Sequence, residues 1–194
     1  MVLDKPSGLL TLWGGSGLNL DMMNQREFRN ALGHFATGIT VVTMREGDTV
    51  HGITVNAFMS VSLDPPLVAV SIDRQATAHQ TLNKTNRYGV SMLGSDQEHL
   101  SNHFANRFAA EVVEPFIEVD GFPLVNGALA HLICDIEVAH EVGDHTIFIG
   151  QVKHIAVNDK KPLLYYQGKY VLSLIHISEP TRRTPISYAV FCLK

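Results

Sequence analysis

What most constrains this chain is a succession of short β-branched segments divided by turn residues, without the strand–helix–strand rhythm of a parallel sheet. ITVVTM (39–44) runs into a turn at REGD (45–48) and is followed by VHGITV (50–55). The Gly47–Asp48 pair between two such runs predicts a hairpin. LVAVSI (67–72) is a continuous apolar run introduced by Asp64–Pro65–Pro66, which holds the preceding residues extended, and it predicts a buried strand. YGVSML (88–93) predicts another. ALAHLICDIEVAHEV (128–142) alternates from His131 onward, with Leu132, Cys134, Ile136 and Val138 on one side. Gly143–Asp144 then turns the chain into HTIFIGQVKHIAV (145–157). Residues 112–126, with Pro115, Gly121 and Pro123, read as irregular. The pattern predicts a mainly β fold, an antiparallel barrel or sandwich rather than a doubly wound sheet.

Helices are few and short. Asn24 precedes QREFRNALGHFA, where Phe28, Ala31, Leu32 and Phe35 recur at helical spacing. Asn24 as N-cap with Glu27 three residues on approximates a capping box, and Gly38 is the expected stop. Residues 77–86 and 96–108 predict two more helices, the second with Leu100, Phe104 and Phe108 on one face. The regular body spans 23–172. Residues 1–22, with Gly14, Gly15, Ser16 and Gly17, read as a flexible leader or a start assigned too early, with a short strand over Leu9–Trp13 as the alternative. Residues 173–194 carry Arg182–Arg183 and two prolines with no matching period, and read as a non-native or disordered tail.

Composition narrows the function classes. At 194 residues, 45% hydrophobic and 18% charged, the chain suits one globular domain. A net charge of −4 leaves no electrostatic footprint for nucleic acid or an anionic membrane surface. No apolar run reaches the roughly 18 residues a spanning helix needs. Two cysteines, Cys134 and Cys192, make no disulfide framework, so a cytoplasmic location is the default and Cys134 reads as a core thiol. GxGxxG, GxxxxGK[ST], HExxH, CxxC and GxSxG are all missing. His99 and His103 lie one helical turn apart, but with no third ligand in view no metal site is expected. His51, His79, His131, His140 and His154, taken singly, read as structural.

Two segments remain that could carry chemistry. GITVNAFMSVSLDPPLVAVSI (52–72) sets Thr54, Asn56, Ser60, Ser62 and Ser71 among apolar positions. Such hydroxyl and amide groups suit the edge of a planar, heteroatom-rich ligand, and equally the polar outer face of an edge strand. In VGDHTIFIGQV (142–152) the Gly-Asp turn puts His145 at the first position of a strand. There it is either an exposed hairpin histidine or an imidazole at the rim of a cleft.

Together these segments resemble the flavin reductase-like domain family, the short-chain NAD(P)H:flavin oxidoreductases that serve two-component monooxygenases. The resemblance rests on FATGITVVT (35–43), the 52–72 segment, LSNHFA (100–105), GFPLVNGALAHLICDIEVAHEVGDHTIFIGQV (121–152) and LLYYQGKY (163–170). It implies a split β-barrel of Greek-key type and a homodimer binding FMN or FAD near the dimer interface. NADH or NADPH would be the hydride donor and a monooxygenase component the partner, with a non-catalytic flavin- or haem-binding module as the alternative. The resemblance places Thr54, Val55, Asn56 and Ala57 along the isoalloxazine edge, and Ser60 and Ser62 on the ribityl-phosphate side. Ser71, Asp73, Arg74, Thr77 and His79 would complete the pocket, Arg74 offering a phosphate its cation; Thr37 and Phe104 are assigned to the cofactor as well. Gly143, Asp144 and His145 match the motif that places the nicotinamide, His145 positioning the ring rather than abstracting a proton, and Tyr166 closes over the cofactor. Val55 and Met59 depart from the family's commoner residues, which bears on flavin affinity.

Overall fold

The computed structural model describes residues 24–106 and 112–171, so the leader, the tail and Phe108 lie outside the described residues. In chain order the elements are α1 (Gln25–Leu32), β1 (Thr37–Gly38), β2 (Thr40–Glu46), β3 (Thr49–Val55), β4 (Phe58–Leu63), β5 (Pro66–Asp73), α2 (Thr77–Leu82) and β6 (Arg87–Met92). They continue with α3 (Glu98–Phe104), β7 (Phe116–Val119), β8 (Phe122–Val125), β9 (Ala130–Val142), β10 (His145–Val157), β11 (Leu164–Tyr166) and β12 (Lys169–Val171). Seven strands form one antiparallel sheet in the order β3-β2-β6-β9-β10-β5-β4, and β1-β11-β12 and β7-β8 form two small ones. This is the mainly β, split-barrel architecture that the resemblance implied.

The connection from β3 to β4 shows how that sheet must bend. Laid flat, the two edge strands would stand about 29 Å apart, six strand spacings. Yet only Asn56 and Ala57 join Val55 to Phe58, a reach of about 11 Å at full extension. The sheet is therefore rolled until its edges nearly meet, without hydrogen bonds closing it. The seam of the barrel is Asn56–Ala57.

Alternation sorts the strands onto two faces. Val42, Met44, Val70, Ile72, Tyr88, Val90, Leu132, Cys134 and Phe148 fill the barrel, with Ala78 and Leu82 of α2 packed against them. On the other face of β2, Ile39 and Val41 pack with Leu93, Leu100, Phe104, Val125 and Leu163. The run ITVVTM is continuous because β2 is covered on both sides. Buried polar groups are paired there: Thr40 Oγ1 donates to the Val55 carbonyl at 2.7 Å and Thr43 Oγ1 to that of Pro123 at 2.6 Å. A Cβ on Gly150 would come within 2.5 Å of the Tyr88 hydroxyl, so β10 uses glycine where the phenol crosses it.

Two expectations are corrected. Helix α1 stops at Gly33 rather than Gly38, and its apolar side meets no core, with Phe28, Leu32 and Phe35 all at least half exposed. The Asn24 side chain does cap it, accepting from Arg26 N at 2.9 Å. The segment read as irregular holds the β7–β8 hairpin, in which Asp120 and Gly121 take the positive φ of its two-residue turn. Residues 58–63 form the edge strand β4, the edge-strand reading left open for the 52–72 segment.

Candidate functional site

The seam opens outward onto a cleft of about 1290 Å³. Its floor is Asn56 to Met59, Ala69 to Ser71 and Ile147; its far wall is the end of α1 and the segment from Phe35 to Thr40. Sites for single small molecules measure roughly 300–1000 Å³, so this one has room for two stacked ligands. The lining is mostly apolar, with polar groups at a few points. Ala57 is fixed by its carbonyl, which accepts from Ser71 N at 3.1 Å. Thr37 Oγ1 is buried in the wall with no hydrogen-bond partner among the described residues. An unpaired buried hydroxyl costs about 1–3 kcal/mol, which a ligand bonding to it would offset.

The register of β10 against β5 carries the floor to the hairpin tip. Ile147 pairs with Ser71 and His145 with Asp73. Thr146 and Phe148 turn into the barrel, leaving His145, Ile147 and Ile149 on the outer face. His145 therefore stands about 7 Å beyond Ile147, along the same face as the cleft floor. Gly143, at φ +61°, supplies the left-handed residue that this two-residue turn needs. His145 Nδ1–H donates to Asp144 Oδ1 at 2.7 Å, which fixes the tautomer and leaves Nε2 free to accept. That hydrogen bond, followed by the Asp144 backbone, holds the Asp144 carboxyl below its ordinary value.

The family model for the flavin reductase-like domain matches residues 32–172. The chain belongs to the flavin reductase-like domain family. An NADH-dependent flavin reductase of Rhodococcus sp. is 45% identical over 156 residues, 78% of this chain and 89% of that one. The reductase component of a 4-hydroxyphenylacetate 3-monooxygenase from Thermus thermophilus is 38% identical, over 74% of this chain and 93% of that one. Among solved structures, the flavin reductase PheA2 superposes with a TM-score of 0.76 at 44% identity, covering 78% of this chain and 99% of its own.

Within this family fold, the structure sorts the residues singled out from sequence. Thr37, Asn56, Ala57 and Ser71 line the cleft together. Gly143, Asp144 and His145 form the hairpin tip at its rim, and Asp73 faces His145 across the strand pair. The Tyr166 ring stands edge-on to His34, which lines the α1 wall. The other assigned residues lie elsewhere. Thr54 Oγ1 donates to the Ser101 carbonyl at 2.7 Å, on the side away from the barrel, and Val55 points into the barrel core. Phe104 packs on Gly52 and on Phe116, with ring centroids 5.4 Å apart. Ser60 and Ser62 sit on β4 outside the lining. Thr77 is the exposed first residue of α2. His79 Nε2 bonds Thr146 Oγ1 at 2.8 Å beneath the sheet. Arg74 is half exposed and paired with Glu141 at 3.4 Å, outside the lining.

Two lining residues went unnoticed in the sequence, Arg29 and His34, both on the α1 side. His34 Nδ1–H donates to the Asn30 carbonyl at 2.9 Å, leaving its Nε2 available. Their only signal was position: Arg29, Leu32 and Gly33 share one helical face, and the apolar neighbours made that face look like core packing.

Proposed function

We propose that this chain is an NADH-dependent flavin reductase that binds FMN or FAD in the seam cleft and supplies reduced flavin to a partner monooxygenase. The observation that carries the reading is the placement of His145, with its tautomer fixed, on the same sheet face as Ser71 and Ile147 of the cleft floor. Relatives described as NADH-dependent flavin reductases and as a monooxygenase reductase component support it.

A flavin suits this wall. The apolar lining takes a flat ring, and the seam backbone, Thr37 Oγ1 and Ser71 offer hydrogen bonds at its edge. When bound, the flavin supplies the redox chemistry, accepting hydride from a reduced nicotinamide. The protein's part is to position and to shield. Nε2 of His145, left free by the Asp144 bond, would accept a hydrogen bond from the nicotinamide carboxamide and so position that ring. The apolar walls exclude water, and the ionisable side chains among the described lining are limited to Arg29, His34 and Tyr165.

The test mixes purified protein with FMN or FAD and with NADH or NADPH, and follows nicotinamide absorbance in air. Rapid oxidation that requires flavin is expected, faster with NADH. A coloured complex with no oxidation would mark a binding module instead.

The same reading includes a homodimer in the cytoplasm. Leu32 and Phe35 on one lip of the cleft and Met59 on the other are 57%, 78% and 61% exposed, and Val61 and Leu63 of β4 are exposed as well. A second copy would cover them. Sedimentation should give twice the chain mass, and Leu63→Glu should shift the protein toward monomer.

A further inference from the structure

Five arginines fall among the described residues, and three are committed to carboxylates: Arg45 to Glu118, Arg74 to Glu141 and Arg87 to Asp135. Arg26 and Arg29 of α1 have no ion pair among the described residues, and of the two only Arg29 lines the cleft. No Asp, Glu or Lys lines it there. In a chain of net charge −4, this cleft thus presents one fixed charge, and that charge is positive.

The helix holds this cation in place from both ends. Asn24 caps the N-terminus, and at the C-terminus the Gly33 carbonyl accepts from Gln167 N at 2.8 Å, fastening α1 to the turn after β11. Leu32 and Gly33, three and four residues beyond Arg29, line the same cleft. Across the opening stands the hairpin tip. The Arg29 charge is felt at Asp144, adding to the stronger effects of the His145 hydrogen bond and the backbone in lowering that carboxyl.

Resting on the flavin reductase reading, we propose that Arg29 is the residue that grips a nucleotide phosphate in the seam cleft. Both ligands of such a reductase carry phosphate. A guanidinium fork bonds phosphate oxygens two at a time, and no carboxylate lines the mostly apolar cleft, Asp144 standing outside the lining at the hairpin tip. Arg74, which the resemblance assigned to this task, pairs with Glu141 and lies outside the cleft lining.

The test compares the unaltered protein with Arg29→Gln and Arg29→Lys. Flavin fluorescence quenching gives the Kd for FMN and for riboflavin, which lacks the phosphate, and steady-state kinetics with saturating riboflavin give the KM for NADH. Because α1 has no buried residue, both variants should melt like the parent. If Arg29 holds the flavin phosphate, Arg29→Gln weakens FMN roughly tenfold, leaves riboflavin unchanged and removes the salt dependence of FMN binding. If it holds the nicotinamide nucleotide's phosphate, the KM for NADH rises roughly tenfold and FMN binding stays constant. Arg29→Lys should recover part of either loss. Equal weakening of FMN and riboflavin, or no change beyond about twofold in all three quantities, overturns the inference. Failure of the reductase reading is distinguishable, because it appears in the unaltered protein as absence of flavin binding or NADH oxidation.

Discussion

Strands β5 and β10 have two faces with opposite duties. Inward, Val68, Val70, Ile72, Thr146 and Phe148 are buried in the barrel, where even the polar Thr146 is paired with His79. Outward, Ala69, Ser71, Asp73, His145 and Ile147 meet the cleft and its rim. The environments push acid groups in opposite directions. Inside, burial raises the Cys134 thiol to about 12 and pushes the Tyr88 phenol up as well. Outside, the His145 hydrogen bond lowers Asp144. A two-residue period lets one strand supply stability on one face and a binding surface on the other, and a register slip by one would exchange them.

Substitutions on the two faces should therefore separate stability from binding. The largest effect belongs inside. Phe148 is 1% exposed and packs edge-on to His79 at 5.9 Å, so Phe148→Ala should cost about 3–5 kcal/mol. Chemical denaturation measures it; a loss below about 1 kcal/mol would mean the barrel interior is not the source of stability. On the outer face, His145→Ala should leave stability within about 0.5 kcal/mol while raising the KM for NADH about tenfold, or 1.4 kcal/mol. Flavin affinity should hold. An equal fall in flavin binding and nicotinamide use would show that His145 does not serve the nicotinamide side alone.

The same two-face logic explains what the sequence revealed. β2, β3, β5, β6, β9 and β10 were readable because β-branched runs and alternation report burial directly. The hairpin β7–β8 was hidden by Pro115, Gly121 and Pro123, which read as loop punctuation although Pro123 sits inside β8. In α1 the spacing of Phe28, Leu32 and Phe35 identified an apolar face but not what lies against it, and the structure leaves it exposed. At the site, the motif resemblance pointed to Asn56, Ala57, Ser71 and the 143–145 turn, which the fold places in or beside one cleft. Residues adjacent in sequence were harder to separate. Thr54 and Val55 belong to the same motif as Asn56, yet they lie on β3 before the seam, one bonded to α3 and the other in the core. Arg29 had no readable signature, because a single arginine on a helix is ordinarily a solvated one.

The smallest expected effect sharpens the electrostatic half of the comparison. Asp144 is depressed in the folded chain relative to an ordinary value of 3.8, so the folded state binds its proton less readily than the unfolded state. Its contribution to stability is fully present above that ordinary value and fades as pH falls through the lower folded one. Asp144→Ala should therefore lower the denaturation midpoint slightly at neutral pH, and the difference from the parent should shrink as pH falls below the carboxyl's ordinary value. The side chain is 88% exposed, which keeps the neutral-pH difference small and makes it shrink with added salt. A difference that persisted unchanged into acid would mean that the carboxylate's charge is irrelevant and that backbone geometry alone orients His145. The tip would then be a rigid turn that does not need the carboxylate's hydrogen bond, and the contrast with the neutral, buried Cys134 and Tyr88 would reduce to solvent exposure.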